Sequence, residues 1–310
     1  MLKFLKYLSS LLLFILVLAF LYHQYSLNKE KKLLTSSIGQ PVEVDGKKMN
    51  VYVAGNGPKT LVFLSGSGTS SPILDFKSLY SKLVKDYRVV VVEKFGYGFS
   101  DDWSKHRDLD TILSQTRKAL QKADVKGPYV LLPHSMSGLE AMHWSASYPK
   151  EVEAIIGLDM SLPQAYDKYR SNRLLYKTLQ LAANLGLSRW LYSPDKEIRS
   201  LSNGSLNPKE KSIYKALFYR RPLSNAIIKE AEEVKSSAKL VKQDKVPAIP
   251  YLIFVSNGQG TGFARKAWQD MSKDYAKDHK NVQLKSFDVP HYIHSYIPDE
   301  LAKEIRKFLK

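Results

Sequence analysis

An apolar run that stops abruptly at a serine constrains the fold of this chain more than any other feature. Residues 129–133 read Tyr-Val-Leu-Leu-Pro and are followed by His-Ser-Met-Ser-Gly, a pattern typical of a strand that enters a tight turn and then a helix. A serine at such a turn needs small neighbours two residues before and after it, because the strand end and the helix start nearly touch. Pro133 and Ser137 meet this demand around Ser135, whereas choosing Ser137 would place the branched Leu139 at the crowded position. Ser135 is therefore the candidate nucleophile.

Other short apolar runs alternate with helix-like stretches on both sides of this segment. Residues 59–65 and 88–93 are strand patterns that lead into glycine-containing loops, and residues 250–256 and 282–289 have the same character near the C-terminus. Apolar runs without internal polar alternation are typical of parallel strands that are covered on both faces. The sequence therefore predicts an α/β fold with a mostly parallel central sheet and helices on both of its faces.

Three segments, taken in order, resemble the α/β-hydrolase fold family, specifically its lipase, esterase and peptidase-like members. They are Ser-Gly-Ser-Gly at 65–68, Phe-Gly-Tyr-Gly-Phe-Ser-Asp at 95–101 and His-Ser-Met-Ser-Gly at 134–138. Pro133 departs from the glycine that the family usually carries before its nucleophile. The resemblance spans roughly residues 40 to 310. It implies a nucleophile, an acid and a histidine in that order along the chain, and a helical cap inserted into the sheet.

The general base is sought in the loop that follows the last predicted strand. His291 and His294 both lie there. The resemblance favours His291, because the family's base comes directly after the strand. His294 falls one helical turn later and is interpreted as a surface or supporting residue.

The acid departs from the commonest family pattern. The loop after the penultimate strand contains no carboxylate between Asn257 and Asp270. One strand earlier, residues 152–158 lead directly into Asp159, and some family members place the acid at this point. Asp159 is therefore the predicted acid, although a buried aspartate at a strand end can also cap a turn or a helix. Asp288 stays open as an alternative, despite its closeness in sequence to His291.

Serine chemistry needs each of these groups. A serine hydroxyl is a weak nucleophile near neutral pH, so a neutral imidazole takes its proton and a carboxylate fixes the tautomer of that imidazole. The developing oxyanion needs donors. The backbone N–H of Met136 is predicted to supply one, and the backbone of Ser67, between Gly66 and Gly68, the other. We expect neither a metal nor a cofactor.

The N-terminus predicts a membrane segment. Residues 7–22 carry no charge and consist mostly of Leu, Ile, Val and Phe. They form about 24 Å of helix at ~1.5 Å per residue, and Phe4 and Leu5 bring the run close to the ~20 residues that cross a bilayer. A cleaved signal peptide is the main alternative, but residues 19–21 lack the small residues of a cleavage site. We predict an uncleaved signal anchor over residues 1–22.

The positive charges on the two sides of this anchor are nearly equal, so they give little preference for either orientation. Two lysines precede the apolar run, and three follow it, offset by Glu30. Since a short N-terminal tail usually stays inside, we expect a single-pass protein of the cell membrane with its catalytic domain outside the cytoplasm. The absence of cysteine excludes a lipid-modified cysteine anchor and means that the domain folds without disulfides.

Four further segments follow the anchor: a charged linker at 23–36, a first core part at 37–160, a helical cap at 161–245 and a second core part at 246–310. The cap is expected to lie over Ser135, with its apolar residues mostly packed inside. It carries 17 lysines and arginines against 8 aspartates and glutamates, about half of the formal net charge of +17. No nucleic-acid-binding motif accompanies this charge. We interpret it as a solvated basic face or as an attraction to anionic lipids or wall polymers.

Together these features predict a membrane-anchored serine hydrolase of the carboxylesterase, lipase or peptidase type. Its substrate would be a small molecule or an acyl compound, cleaved at an ester bond in preference to an amide, through an acyl-enzyme on Ser135. The alternative is a catalytically silent α/β-hydrolase-like binding or scaffolding protein. The missing acid after the penultimate strand and Pro133 motivate that alternative.

Overall fold

A computed structural model describes residues 1–245 and 247–310 of the chain. Its centre is one eight-stranded sheet with the order β1-β2-β4-β3-β5-β6-β7-β8. The strands are β1 (Gln40–Val44), β2 (Lys47–Ala54), β3 (Thr60–Leu64), β4 (Arg88–Glu93), β5 (Tyr129–Pro133), β6 (Val152–Leu158), β7 (Tyr251–Val255) and β8 (Val282–Ser286). β1 and β2 are antiparallel to their neighbours, whereas all pairs from β4 to β8 are parallel. The predicted fold class is confirmed.

Helices cover both faces of the sheet, which explains why the central strands are apolar throughout. In chain order they are α1 (Leu2–Glu30), α2 (Pro72–Asp75), α3 (Lys77–Leu83), α4 (Leu109–Lys122), α5 (Ser137–Ser147), α6 (Arg173–Asn184), α7 (Ser188–Leu191), α8 (Pro194–Glu197), α9 (Arg199–Ser202), α10 (Pro208–Arg220), α11 (Asn225–Gln243), α12 (Arg265–Asp278), α13 (Ile293–Tyr296) and α14 (Pro298–Phe308). One core packs α4, α5, α11 and α12 on the sheet, and the other packs α3 and α14. Every residue of β3, β5 and β7 is buried between these layers.

The segment between β6 and β7 is helical, as a cap requires. It contains a short 3-10 helix (Pro163–Tyr166) and the helices α6 to α11. Its second half packs as expected, with Ile213, Leu217, Ile227 and Ile228 buried. Its first half does not follow the expectation of inward packing, because the leucines of α6 are exposed.

The N-terminal helix is longer than the apolar run that predicts it. α1 extends over 29 residues, about 44 Å at ~1.5 Å per residue, and a 3-10 turn (Lys31–Leu34) follows it directly. The segment predicted as a linker is thus helical over most of its length. Its charged end is held by the cap, because Arg189 donates to both carboxylate oxygens of Glu30 at 2.7 and 2.6 Å. The region from Lys3 to Leu34 is long and apolar enough to cross a membrane and is mostly exposed, which fits either a membrane anchor or a signal sequence.

Candidate active site

Ser135 lies in the sharp turn between β5 and α5. Its φ of +55° is left-handed, a conformation that costs energy for a residue with a side chain and occurs where the fold imposes it. The turn is closed around it, because the backbone N–H groups of Gly138 and Ser161 both donate to the carbonyl oxygen of Ser135, at 3.0 and 2.8 Å. A Cβ added to Gly138 would approach the Ser161 carbonyl oxygen to 2.4 Å. The strand, turn and helix are therefore packed as closely as the sequence predicts.

The neighbouring serine of the motif has a different environment. The Ser137 hydroxyl lies 2.7 Å from the Leu64 carbonyl oxygen and 2.8 Å from that of His134, and the residue is buried. Its hydroxyl is occupied by the backbone of two adjacent strand ends. Ser135, by contrast, lines an open cavity. This difference favours Ser135 as the reactive serine.

Asp159 and His291 meet at the carboxyl edge of the sheet, 132 residues apart in sequence. His291 Nδ1 lies 2.5 Å from Asp159 Oδ2. The other carboxylate oxygen accepts the backbone N–H of Ser256 at 2.7 Å and the indole N–H of Trp268 at 2.9 Å. These two donors fix the carboxylate, which in turn orients the imidazole. With the proton on Nδ1, His291 keeps the lone pair of Nε2 free to accept a proton.

The alternative acids lie away from the imidazole. Asp288 is exposed and bonds to Asn257 and Arg265, which lower the pKa of its carboxyl group. Asp270 is a surface partner of Lys266 on α12. Neither reaches His291 in the part of the chain that the structure describes.

The loop after β3 lies directly against Ser135. A Cβ added to Gly66 would come within 2.6 Å of the Ser135 Cβ and 3.1 Å of the His134 carbonyl oxygen, so only glycine lets the loop approach this closely. Ser67 follows Gly66, and both Ser67 and Met136 line a cavity next to Ser135. Among the described residues, neither the Ser67 N–H nor the Met136 N–H donates a hydrogen bond to protein. Such free donors can bind an oxyanion.

Two cavities meet at Ser135. The first, here called the catalytic cavity, has a volume of about 480 Å³ and is lined by Ser67, Ser135 and His291 from the core and by Tyr166 and Tyr169 from the cap. Lys168, an exposed cap side chain, also lines it. The second, here called the apolar cavity, has a volume of about 250 Å³ and lies under α11. Its apolar lining comes from Met136, Leu223, Ile227, Ile228 and Val234.

The matches to known proteins identify the family of the fold that carries this site. A family model described as alpha/beta hydrolase fold covers residues 59–275. This chain belongs to the α/β-hydrolase fold family. The uncharacterized protein YbdG of Bacillus subtilis is 36% identical over 310 residues, which cover 98% of this chain and 95% of YbdG. The 2-(acetamidomethylene)succinate hydrolase of Mesorhizobium japonicum is 20% identical, over 88% of this chain and 95% of that protein.

A solved structure of the family shares the overall architecture. The epoxide hydrolase of Bacillus megaterium superposes with a TM-score of 0.64 at 15% sequence identity, covering 87% of this chain and 99% of that one. At this identity the likeness concerns the fold alone. Hydrolases are thus among the relatives of this α/β-hydrolase fold protein, while its own reaction has to be argued from its site.

Of the two interpretations of His294, a surface residue or a supporting residue, the first is wrong. Its side chain is fully buried, and Nε2 lies 3.2 Å from Asp75 Oδ2 on α2. The other Asp75 oxygen accepts the Ser200 hydroxyl of the cap at 2.8 Å. This pair holds the loop of His291 against the cap and is a supporting element beside the site.

Sequence reasoning missed two side chains that contact the site residues. Trp268, on α12, bonds to Asp159, and His134 lies between His291 and His294 with ring centroids 4.6 and 4.9 Å away. Burial, together with the two neighbouring histidines, holds the pKa of His134 well below its usual value, so this imidazole is neutral. No local pattern identifies Trp268, whereas the position of His134 inside the serine motif could have suggested a contact with the base.

A buried ion pair joins the cap to the core behind the turn. Arg107 Nη2 donates to Glu230 Oε1 of α11 at 2.9 Å, and the Tyr97 hydroxyl donates to the other oxygen at 2.5 Å. Burial raises the pKa of Tyr97, which keeps its proton available for this bond. Breaking such a pair leaves an uncompensated charge inside the protein. The network therefore fixes α11, and with it the apolar cavity, relative to Ser135.

Proposed function

We propose that this protein is a membrane-anchored serine hydrolase that cleaves a carboxylic ester through an acyl-enzyme on Ser135. The observation that carries the proposal is the arrangement at the carboxyl edge of the sheet. A serine in a left-handed turn shares a cavity with an imidazole whose Nδ1 is 2.5 Å from a buried carboxylate. The contact between Asp159 and His291 speaks against the silent scaffolding alternative, since the missing acid was, together with Pro133, one of its two motives.

The proposed reaction uses each group once in each half. Ser135 Oγ attacks the acyl carbon as His291 Nε2 takes the hydroxyl proton, and the carbonyl π electrons move to the oxygen, where Ser67 and Met136 donate. The tetrahedral intermediate collapses, the C–O bond to the alcohol breaks, and His291 returns the proton to the leaving alkoxide. Water then attacks the acyl-enzyme with the same imidazole as base, which releases the acid and restores Ser135.

The cavities support an ester with an apolar acyl group. The apolar cavity, beside Ser135 and Met136, suits the hydrocarbon part of an acyl group. Burying that hydrocarbon is worth about 0.8 kcal/mol per CH₂ group. The wider catalytic cavity, with the tyrosines of the cap and the exposed Lys168, is left for the alcohol part. We therefore expect esters of hydrophobic acids to be better substrates than acetate esters of the same alcohol.

The test of the nucleophile uses a fluorophosphonate probe, which reacts with an activated serine whatever the natural substrate. We expect the wild type to be labelled, Ser135→Ala to lose labelling completely and Ser137→Ala to keep most of it. Ser137→Ala is the matched control because it changes the same turn and the same type of side chain. Equal labelling of the wild type and Ser135→Ala would reject this nucleophile. A well-folded wild type without any labelling would instead favour the scaffolding alternative.

The anchor is tested separately. The full chain should sediment with membranes and resist carbonate extraction, because the uncharged run is long enough to cross a bilayer. The alternative is a removed signal sequence, which predicts a mature N-terminus beyond Ala19 and a protein that is released by carbonate. N-terminal sequencing of the membrane-bound and released fractions distinguishes the two.

A further inference from the structure

Helix α6 of the cap has its apolar side chains on the outside. Leu174 is 79% exposed and Leu181 is 60% exposed, and Leu175 and Leu179 beside them are about half exposed. Residues three, four and seven positions apart lie on one side of a helix, so the four leucines form a continuous apolar strip along the helix.

The side of α6 that faces the protein buries the small Ala183, and polar side chains beside it bond to the rest of the cap. Gln180 donates to the Leu223 carbonyl oxygen at 2.6 Å, and Lys177 donates to the side-chain oxygen of Asn225 at 3.1 Å. An amphipathic helix of a water-soluble domain turns its apolar side to the core and its polar side to water. In α6 the large apolar side chains lie on the outside instead, which is expected for a helix whose outer side contacts a bilayer.

The apolar strip continues into α7, which packs against α1. Trp190 and Leu191 are 67% and 82% exposed. The Trp190 ring lies 5.7 Å from the ring of Tyr22, and a Cβ added to Gly186 would be 2.6 Å from the Cβ of His23. These contacts place α7 beside the last residues of the uncharged run of α1, the level at which a membrane-crossing helix leaves the hydrocarbon. Aromatic side chains are enriched at this depth.

The flank of the strip is basic. Lys168, Arg170 and Arg173 precede or begin α6, and all three are exposed. Lysines and arginines close to a membrane surface are attracted by anionic headgroups, by about 1 kcal/mol each. A helix that lies in a membrane interface typically combines an apolar side with lysines and arginines on its polar side or close to it.

We propose that α6 and α7 lie on the bilayer leaflet from which α1 emerges, with Leu174, Leu181, Trp190 and Leu191 between the headgroups and the acyl chains. This inference rests on the proposed anchor, because α1 brings the strip to the membrane. The partner is the lipid surface itself, since the apolar strip is continuous with a helix that crosses the same bilayer.

This placement directs the active site towards lipid. Tyr192 directly follows Leu191 and lines a third cavity, of about 450 Å³, which extends past Phe218 to His291. An entrance at Tyr192 would therefore open beside the leaflet, and the substrate would be an ester that resides in the membrane, such as an acylated amphiphile, in preference to one dissolved in water.

The first experiment uses the full chain in vesicles of phosphatidylcholine and phosphatidylglycerol. Of the four tryptophans, Trp190 alone is exposed, while Trp103, Trp144 and Trp268 are buried. Phosphatidylcholine brominated on its acyl chains should quench part of the wild-type emission, and iodide in the water should quench little. Trp190→Phe should remove the bromine-dependent part, which assigns it. Unchanged emission with brominated lipid and strong quenching by iodide would overturn the proposal.

The second experiment changes the strip itself. Leu174→Glu combined with Leu181→Glu should reduce the bromine quenching of Trp190, and Leu174→Met with Leu181→Met, the matched control, should not. If the strip instead contacts a second copy of the chain, Trp190 would be protected from both quenchers and cross-linking would give dimers, which would also overturn the proposal. Vesicle flotation of each variant reports on the anchor, and probe labelling reports on Ser135. A chain that floats and is labelled but shows no bromine quenching would reject this inference alone.

A third readout connects the strip to the substrate. With the glutamate variant, hydrolysis of a fluorogenic ester embedded in the vesicles should fall relative to the methionine control, while hydrolysis of a water-soluble ester should be the same in both. An equal loss on both esters would mean that the substitutions damage the site and would remove the support for substrate entry from the bilayer.

Discussion

Two imidazole–carboxylate pairs lie side by side in this molecule and differ in what they face. His291 and Asp159 are 2.5 Å apart beside the catalytic cavity, whereas His294 and Asp75 are 3.2 Å apart in a fully buried position. The two histidines are only three residues apart in the chain. In the first pair the imidazole lines the catalytic cavity, while in the second the whole ring is enclosed, between Phe76 and the cap.

The comparison shows that a histidine bound to an aspartate is not by itself a catalytic feature. What distinguishes the first pair is its surroundings. Asp159 is held by two further donors, and Ser135 lines the same cavity as His291. The carboxylate of the second pair instead binds side chains of the cap, so it links two parts of the fold. Under the proposed function, the same chemical unit thus serves a reaction in one place and stability in the other.

The largest difference is expected from removing the charge of Asp159. In Asp159→Asn the carbonyl oxygen can keep the bonds from Ser256 and Trp268, and the new amide then donates to His291 Nδ1. This forces the imidazole proton onto Nε2, where it can no longer accept the proton of Ser135. By analogy with serine-protease triads, turnover should fall by up to about 10⁴-fold. The measurement is steady-state hydrolysis of a p-nitrophenyl ester, with thermal melts to establish folding.

Asp288→Asn and Asp270→Asn are the controls, because both carboxylates are on the surface and pair with basic side chains. Each should keep nearly the turnover of the wild type. A stably folded Asp159→Asn variant with near wild-type turnover would remove Asp159 from the mechanism and leave a Ser135 and His291 dyad.

The first of the two pairs could be predicted from the sequence, and the second could not. Ser135, Asp159 and His291 each follow a recognisable strand, and parallel strands bring their carboxyl ends to one edge of the sheet. Asp75, by contrast, lies on a four-residue helix without a pattern of its own, 219 residues from its partner. Its contact depends on how the cap closes over the sheet, which no local signal contains. For the same reason the sequence leaves open whether His294 is a surface or a supporting residue, and its contact with Asp75 bears out the second interpretation.

The fold was predictable where the apolar pattern reports burial. The buried parallel strands follow their apolar runs to within a few residues. The hairpin of β1 and β2 was not identified, because its alternation of exposed and buried residues is weak. The leucines of α6 were expected inside the cap, since amphipathic periodicity specifies that a helix has an apolar side but not which surroundings that side contacts.

The buried pair is expected to show a stability effect of intermediate size. In Asp75→Asn the new NH₂ group faces His294 Nε2, which moves the imidazole proton to the buried Nδ1, where it has no hydrogen-bond partner among the described residues. A buried donor is thereby left unpaired, and the bonds to Ser200 and His294 lose their charged acceptor. Such a loss costs about 1–3 kcal/mol of unfolding free energy. Chemical denaturation should show this loss, while turnover per folded molecule and probe labelling remain at the wild-type level. A folded variant with a 10³-fold lower turnover would place this pair in the reaction after all and end the distinction.

The smallest effect is expected from His134, which contacts both pairs. Its ring is 1% exposed, and its Nε2 lies 3.2 Å from the His291 carbonyl oxygen, to which it donates. Burial, and then the neighbouring His291 and His294, hold its pKa well below the ordinary 6.5. Below pH 6.5 the unfolded chain therefore binds a proton that the folded chain does not, and stability falls as the pH falls. At neutral pH both states are uncharged and this contribution vanishes.

His134→Gln tests this, because the glutamine amide can still donate to the carbonyl oxygen of His291 but cannot titrate. We expect the variant to lose less stability than the wild type between neutral pH and about pH 5, as measured by denaturant unfolding at several pH values. Burial raises the pKa of Glu93 to about 7, which gives an opposite slope above pH 4.5, but that slope is common to both proteins and cancels in the difference. Parallel stability curves for the two proteins would show that His134 does not contribute to the loss of stability at low pH.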